Sequence, residues 1–546
     1  MRLLAFVLAA GAMLLGSPAA ATTRYVATNG SDSNPGTLTA PLATLNRACA
    51  LSIAGDEVLV RGGVYQQRAS LSCNGTASAR LRFAPYPGEA VVLDGSLTAP
   101  DTSVVGIYGH HIDFEGFEVR NSKRTGISAW GVTGLRISNN LVHDCELGGI
   151  WVGFDAANGN LDVTIQGNTV HTTATRFYPH TTTSGWPVAL NVGNTYGGLV
   201  SGNTVYRNHG EGIGVGHSRF VDVLGNVVHD NYSTNIYLDN SQDAVVSGNF
   251  VYSERDPMFF RYDGPANGIT IANEFSNHVF QDSARIIVSN NVVNAARYGI
   301  YYGNFQFGTG LHDSLIAHNT VYRTDLAALQ IDDAAHTNTR IEQNLVVQEP
   351  GRVLASVAGS GLTFARNGWW GGTPPAAVNG VGDINADPGF VNPGSADALG
   401  YRLAANSPMA SAGLQLALVG ADFDAQARTA PTSLGAFEVT AVSPRMGIAA
   451  VAIGHDYRLK KHHYAASVAI TDAAGMPVAG ATVSGRWSGA LSGSFDAVTN
   501  SAGLATMPTL STRSSKSVTF TVTAVSRSGY VHDAALDQQT SVTFLP

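Results

Sequence analysis

The chain has 546 residues, a formal charge of −8 and a pI near 6.0, with 13% of its residues charged and 61 glycines. That acidic balance excludes a general nucleic-acid binder, so any basic residues that meet a polyanion must be gathered locally. Length does not fix a domain count, because a solenoid grows without thickening its core, and the glycine content suits a chain turned repeatedly between short strands.

The chain opens with MRLLAFVLAAGAMLLGSPAAA, in which a single basic residue, Arg2, precedes an apolar run from Leu3 to Leu15 and a small-residue ending at Ala19–Ala21. This reads as a secretory signal over residues 1–21, too short and wrongly flanked for a membrane anchor. The expectation is therefore a secreted protein, periplasmic or extracellular. No second long apolar run follows, so no membrane span is expected.

YVATNGSDSNPGT (Tyr25–Thr37), APLATLNRA (Ala40–Ala48) and GDEVLVRGGVY (Gly55–Tyr65) form a strand, a Gly/Asn/Asp turn, a short helix at about Leu42–Ala50 and a first coil. This series resembles the N-terminal cap of secreted right-handed parallel β-helix proteins of the pectate-lyase-like superfamily. A cap is physically required, because a first coil left bare would expose sheet edges and an open apolar core. Cys49 and Cys73 are close enough in sequence to clip the cap in an oxidising compartment. Cys145, in VHDCELGG, is expected to be a small buried hydrophobe.

From Asn140 to Asn367 one phrase recurs: a short GIxVG-like strand, a turn, and a second strand centred on Asn. The Asn positions 140, 168, 203, 226, 249, 291, 319, 344 and 367 are spaced by 28, 35, 23, 23, 42, 28, 25 and 23 residues. A base period near 23 with insertions marks a solenoid, and its wealth of Val, Ile, Gly and Asn favours a parallel β-helix. The repeated Asn amides are expected to stack from coil to coil as a structural ladder.

Alternate strand residues face outward, so aligning the strands exposes one exterior surface. With Ile150, Leu190, Ile213, Ile236, Ile300 and Leu329 inward, the outward row reads Trp151, Asn191, Gly214, Tyr237, Tyr301 and Gln330. The next outward row is Gly153, Gly193, Gly216, Asp239, Gly303 and Asp332. Setting Met258 beside Ile236 keeps Met258 and Phe260 inside and avoids burying an unpaired guanidinium. That register puts Tyr237, Asp239, Phe259 and Arg261 on adjacent coils, about 4.8 Å apart. The preceding turns add His209 and Glu211, and NHGEGIGVGH sets His217 at the far end of the same strand.

Two insertions flank this patch: His171–Leu190, with Arg176, Tyr178, His180 and Trp186, and Gly264–Arg285, with Glu274, His278 and Asp282. Such insertions commonly wall a cleft, and their aromatics suit stacking on sugar rings. The resemblance also permits exclusions: the polygalacturonase signatures NTD, GHG and RIK and the epimerase signature DPHD are absent, and Lys123 is the solenoid's only lysine. A lysine-based lyase is therefore disfavoured.

The expected activity is cleavage of a polysaccharide, first as a lyase acting on a uronate. Arg261 would neutralise the carboxylate or act as base, His209 or Tyr237 would relay the proton, and Glu211 with Asp239 would orient them or hold a cation such as calcium. Trp151, Phe259, His217, Tyr178, Trp186 and Glu274 are expected to bind substrate. A glycoside hydrolase using Glu211 and Asp239, and a non-catalytic carbohydrate-binding surface protein, are the alternatives. The expected partner is a polysaccharide, anionic under the uronate reading, met by a monomer, with no nucleic acid and no cofactor beyond that cation.

YRLAANSPMASAG (Tyr401–Gly413), DFDAQAR (Asp422–Arg428) and LGAFE (Leu434–Glu438) resemble the closing segment of such helices, with the acidic DFD serving turn geometry. The β-helix with its cap is placed at 22–440. Beyond it, Val468–Trp487 and Thr499–Met507 are similar to bacterial immunoglobulin-like modules, so residues 441–546 are expected to form a β-sandwich.

Overall fold

The computed structural model describes residues 21–546 except 154–158, 181–186, 275–281, 306–308, 440–444, 474 and 528–529. The expected leader, residues 1–21, lies outside the described residues apart from Ala21. The chain divides into two compact units, Met1–Val439 and Thr440–Pro546.

The first unit is a parallel β-helix. Three parallel sheets run its length, of 13, 11 and 13 strands, and each complete coil contributes one strand to each sheet. Strands of two to seven residues alternate buried and outward side chains, and the inward Val, Ile, Leu and Phe residues merge into one continuous core from Val26 to Val378. Each coil buries its apolar face only against the coils above and below, as in other quasi-one-dimensional folds.

The cap helix spans Leu45–Leu51, three residues later than the sequence suggests. Thr44 is the reason. Its hydroxyl accepts the Arg47 N–H as the N-cap, and Asp32 accepts the Ala43 and Thr44 N–H groups, which holds Leu42–Thr44 extended. Leu45, Ala48 and Cys49 point into the open end of the core. Cys49 is disulfide-bonded to Cys73, while Cys145 is a buried free thiol.

The asparagine ladder is continuous. From Asn140 through Asn344, each Nδ2 donates to the Oδ1 of the next Asn at 2.8–3.1 Å, ending at Asn367. The residue before each of them has a left-handed φ, from Asn139 (56°) and Gly167 (66°) to Gln343 (58°) and Arg366 (54°). Glycine or asparagine fills six of these nine positions, because those residues meet the least steric penalty there.

The closing segment covers the outer face of the third sheet, where Tyr401, Leu403, Met409, Leu434 and Phe437 pack on Phe250, Tyr252, Val292, Leu345 and Val347. Arg428 is fully buried in it, donating to Glu438 at 2.5 Å, to Asn290 Oδ1 at 2.7 Å and to the Gly435 carbonyl at 2.8 Å. Asp422 accepts the N–H groups of Asp424, Gln426 and Glu438, so the acidic DFD is a turn device.

The expected register through Met258 is not the one formed. Ile236 pairs with Ile269, Tyr237 with Thr270 and Asp239 with Ala272, so the coil's strand is Asn267–Ala272. Pro257–Phe259 is instead a 3-10 turn capped by the Asp256 carboxylate on the Met258 N–H. Pro257 has no N–H to give a ladder, which disfavours a strand there. Phe259 is consequently buried and Met258 exposed, the reverse of the expectation.

The second unit is a β-sandwich of one five-stranded and one four-stranded sheet around Tyr464, Val468, Ile470, Trp487 and Phe520. Its longest hairpin, Arg445–Arg458 with Lys461–Asp472, turns at Leu459 and Lys460 with φ of 50° and 57°. Two successive left-handed residues suit the twist of a two-residue hairpin.

Candidate active site

The 11-stranded sheet carries the candidate site on its outer face. Ile150, Leu190, Ile213, Ile236, Ile269, Ile300 and Leu329 are in register and point inward. Two outward rows result. One runs Ser128, Trp151, Asn191, Gly214, Tyr237, Thr270, Tyr301, Gln330, and the other Gly193, Gly216, Asp239, Ala272, Gly303.

Side chains converge on Tyr237. Its hydroxyl donates to the Glu274 carboxylate, and the Glu274 N–H donates to Asp239 Oδ1 at 3.1 Å and to Asn240 Oδ1 at 2.8 Å. His217 Nε2 lies 3.3 Å from Asp239 Oδ2. Burial holds the Tyr237 phenol well above its usual pKa, and the negative charges of Asp239, Glu274 and Glu211 push it further. Glu274 is exposed along much of its length, but its carboxyl end is tucked against Tyr237. Burial raises its pKa, and Asp239 adds to the shift. Of the residues the sequence nominates, Tyr237, Asp239, His217 and Glu274 lie together and Glu211 is near enough to act on the phenol, while the direct Tyr237–Glu274 bond is not foreseen from the sequence.

Arg261 does not join this group. Its guanidinium donates to Ser233 Oγ at 2.7 Å and to the Tyr262 hydroxyl at 2.9 Å. Ser233 lies just before strand Thr234–Asp239, so it is about 20 Å of extended backbone away from Asp239 at its far end. The expected 4.8 Å neighbourhood of Arg261 and Asp239 is therefore overturned by the Asn267–Ala272 register. Arg261 instead lines a pocket of about 300 Å³ with Arg297, Tyr262, Tyr298, Tyr301 and Asn267.

His209 belongs to an aromatic wall. His180 stacks on Tyr232 with centroids 3.4 Å apart, its Nε2 lies 3.3 Å from His209 Nδ1, and His209 packs between Tyr178 at 4.7 Å and Phe259 at 5.1 Å. Burial, then the neighbouring His180, pushes the His209 pKa down to about 4. A neutral imidazole packed this way orders the wall. Phe259 is buried within this wall. Trp186 and His278 lie outside the described residues.

Among the described residues, only His229, Asp230 and Glu254 bring three ligand atoms within 4.8 Å of one another, and they sit on the third sheet's side. Those atoms already serve the protein: Asp230 accepts from Ser253 and from the Glu254 N–H, and Glu254 pairs with Arg207 at 3.0 Å.

Residues 24–213 match the family described as Pel9A-like, right handed beta helix region, and residues 216–368 match the right handed beta helix region family. The uncharacterized protein YwoF of Bacillus subtilis (strain 168) is 31% identical over 372 residues, covering 60% of this chain and 75% of YwoF. Pectate lyase PEL9 of Emericella nidulans is 38% identical over 73 residues, 13% of this chain and 18% of that enzyme. Among solved structures, that of XylC with xylose superposes with a TM-score of 0.56 at 14% identity, covering 77% of this chain and 98% of XylC, which is a likeness of fold. By repeat, cap, ladder and these matches, the chain belongs to the pectate-lyase-like superfamily of right-handed parallel β-helix proteins.

Proposed function

We propose that this protein cleaves glycosidic bonds of a polysaccharide lying across the 11-stranded sheet, and that it does so by hydrolysis. The observation that carries this reading is the Tyr237–Glu274 hydrogen bond beside the Asp239–His217 contact. Two carboxyl groups with unlike surroundings suit acid and base roles. Glu274, held toward its protonated form, gives its proton to the glycosidic oxygen as the bond from that oxygen to the anomeric carbon breaks. Asp239 takes a proton from the water that forms the new bond to the same carbon. His217 orients Asp239, and Tyr237 positions Glu274. The Glu211 and Asp239 carboxylates beside one phenol disfavour an anionic sugar at this point, which turns the reading from uronate elimination toward hydrolysis.

Elimination is the second reading, and the Arg261–Arg297 pocket favours it, because two guanidinium groups among tyrosines suit a sugar carboxylate. The similarity to a pectate lyase over 73 residues supports carbohydrate as the substrate under either reading. The leader-like residues 1–21 support export, and residues 441–546 read as an immunoglobulin-like spacer.

The test is a polysaccharide panel scored for new reducing ends and for ultraviolet absorbance of unsaturated products. Hydrolysis predicts reducing ends without absorbance, lost in Glu274→Gln. Absorbance that survives Glu274→Gln and disappears in Arg261→Ala would replace this reading with elimination.

A further inference from the structure

We propose that Trp130, Trp151 and Tyr108 form a distal sugar-binding platform, so that the substrate is a polymer of pyranose rings spanning from it to Tyr237. The inference rests on the carbohydrate reading above and deepens it.

The platform lies on the same outer face as Tyr237. Trp151 is in register with Asn191, then Gly214, then Tyr237, three coil steps or about 14 Å at ~4.8 Å per step. Trp130 follows Ala129, the partner of Val152, and its ring lies across Gly153, where an added Cβ would sit 2.2 Å from a ring carbon. Tyr108 follows Ile107 one coil earlier, with its hydroxyl 3.0 Å from an Arg68 nitrogen. These rings bound a cavity of about 380 Å³, with Arg68, Ser128 and Asp101 among the polar groups on its lining. They stand on the opposite side of the sheet from the continuous core, so packing of the solenoid does not require them.

Among the described residues, the strands between platform and site carry small outward groups that are all buried, with the Trp130 ring over Gly153 and Val188 beside Gly214. Gly153, Gly193, Gly214 and Gly216 occupy four outward positions, and Asn191 is turned down, its Nδ2 donating to the Val152 carbonyl at 3.0 Å. The Trp151 indole and the Tyr237 ring share one outward row of the sheet, at a separation that suits successive pyranose rings of one chain. Apolar sugar faces stack on the indoles, and ring hydroxyls meet the rim.

The experiment compares wild type with Trp130→Ala, Trp151→Ala and Gly153→Ala, the last of which displaces the Trp130 ring without removing it. Affinity electrophoresis is run through gels containing xylan, arabinan, polygalacturonate or alginate. The expected result is retardation of the wild type by at least one polymer, weakened about tenfold in each variant, as one lost aromatic stack implies. Thermal melts by circular dichroism keep unfolded variants out of the comparison, and Trp130→Phe is expected to recover part of the binding. On a polymer that is cleaved, the ratio of kcat/KM for polymer over trisaccharide is expected to fall about tenfold in each of the three variants. Equal retardation of wild type and folded variants, no retardation in any gel, or an unchanged ratio overturns the platform. Retardation without cleavage of any polymer would retain the platform and remove the hydrolytic reading, so the two failures are distinguishable.

Discussion

Asn226 sits mid-ladder, and its replacement shows what holds successive coils together. Its Oδ1 accepts the Asn203 N–H at 2.9 Å and Asn203 Nδ2 at 3.0 Å, while its Nδ2 donates to the Val200 carbonyl at 3.0 Å and to Asn249 Oδ1 at 2.9 Å. Asn226→Leu leaves two buried donors on Asn203 and one buried acceptor on Val200 unsatisfied, whereas Asn249 Oδ1 keeps the backbone N–H of residue 226. At about 1–3 kcal/mol for each orphaned group, partly offset by the buried leucine, the expected destabilisation is about 3–5 kcal/mol. Urea unfolding followed by far-ultraviolet circular dichroism measures it. Asn226→Asp adds a sign test. Burial raises the new carboxyl's pKa in the folded state, so its penalty is absent below the unfolded value of about 4 and grows as pH rises above it. A loss below about 0.5 kcal/mol for Asn226→Leu, a value typical of surface changes, would refute the claim that the ladder bears load.

Other outcomes follow from single contacts. Arg428→Met strands the partly buried Glu438 carboxylate and should cost about 3–5 kcal/mol in the same denaturation assay, with much of the loss recovered when Glu438→Gln is added. His209, held down to about 4 in the fold, binds its proton more readily when unfolded. Stability therefore falls as pH drops from about 6.5 toward 4, by up to about 2 kcal/mol after allowance for solvent screening, and His209→Phe should flatten that slope in thermal melts. Glu274→Gln should lower kcat by about 10²–10⁴ with no loss of melting temperature, since it removes a carboxyl that burial disfavours in its charged form. In the wild type, kcat/KM should decline as pH rises through the elevated Glu274 pKa.

The sequence carries the solenoid clearly because each coil repeats the same physics. The Asn spacing, the Gly or Asn before it and the inward Ile residues from Ile150 to Leu329 are local signals reinforced many times. The register failed at the coil with the longest Asn spacing. FF in MFFRY resembles a strand, yet Asp256 and Pro257 make it a capped turn, and the alternating NGITIA a few residues later supplies the strand. Pro257 was the readable warning. Arg261 and Phe259 enter the expected site only through the Met258 register, so the Asn267–Ala272 strand removes both from it. Glu274 became a partner of Tyr237 through the fold of an insertion, which no strand periodicity encodes. Strand alternation does not single out Trp130, because it follows the last paired residue of its strand, where alternation no longer shows which way a ring leans.

Mass analysis of the products released from a cleaved polysaccharide by the purified full chain tests the central claim most directly. Hydrolysis through Tyr237, Glu274 and Asp239 predicts fragments that together weigh one water more than the parent chain for each cut, labelled by heavy-oxygen water at the new reducing end and absent with Glu274→Gln. Fragments ending in an unsaturated sugar with no water gained would contradict it.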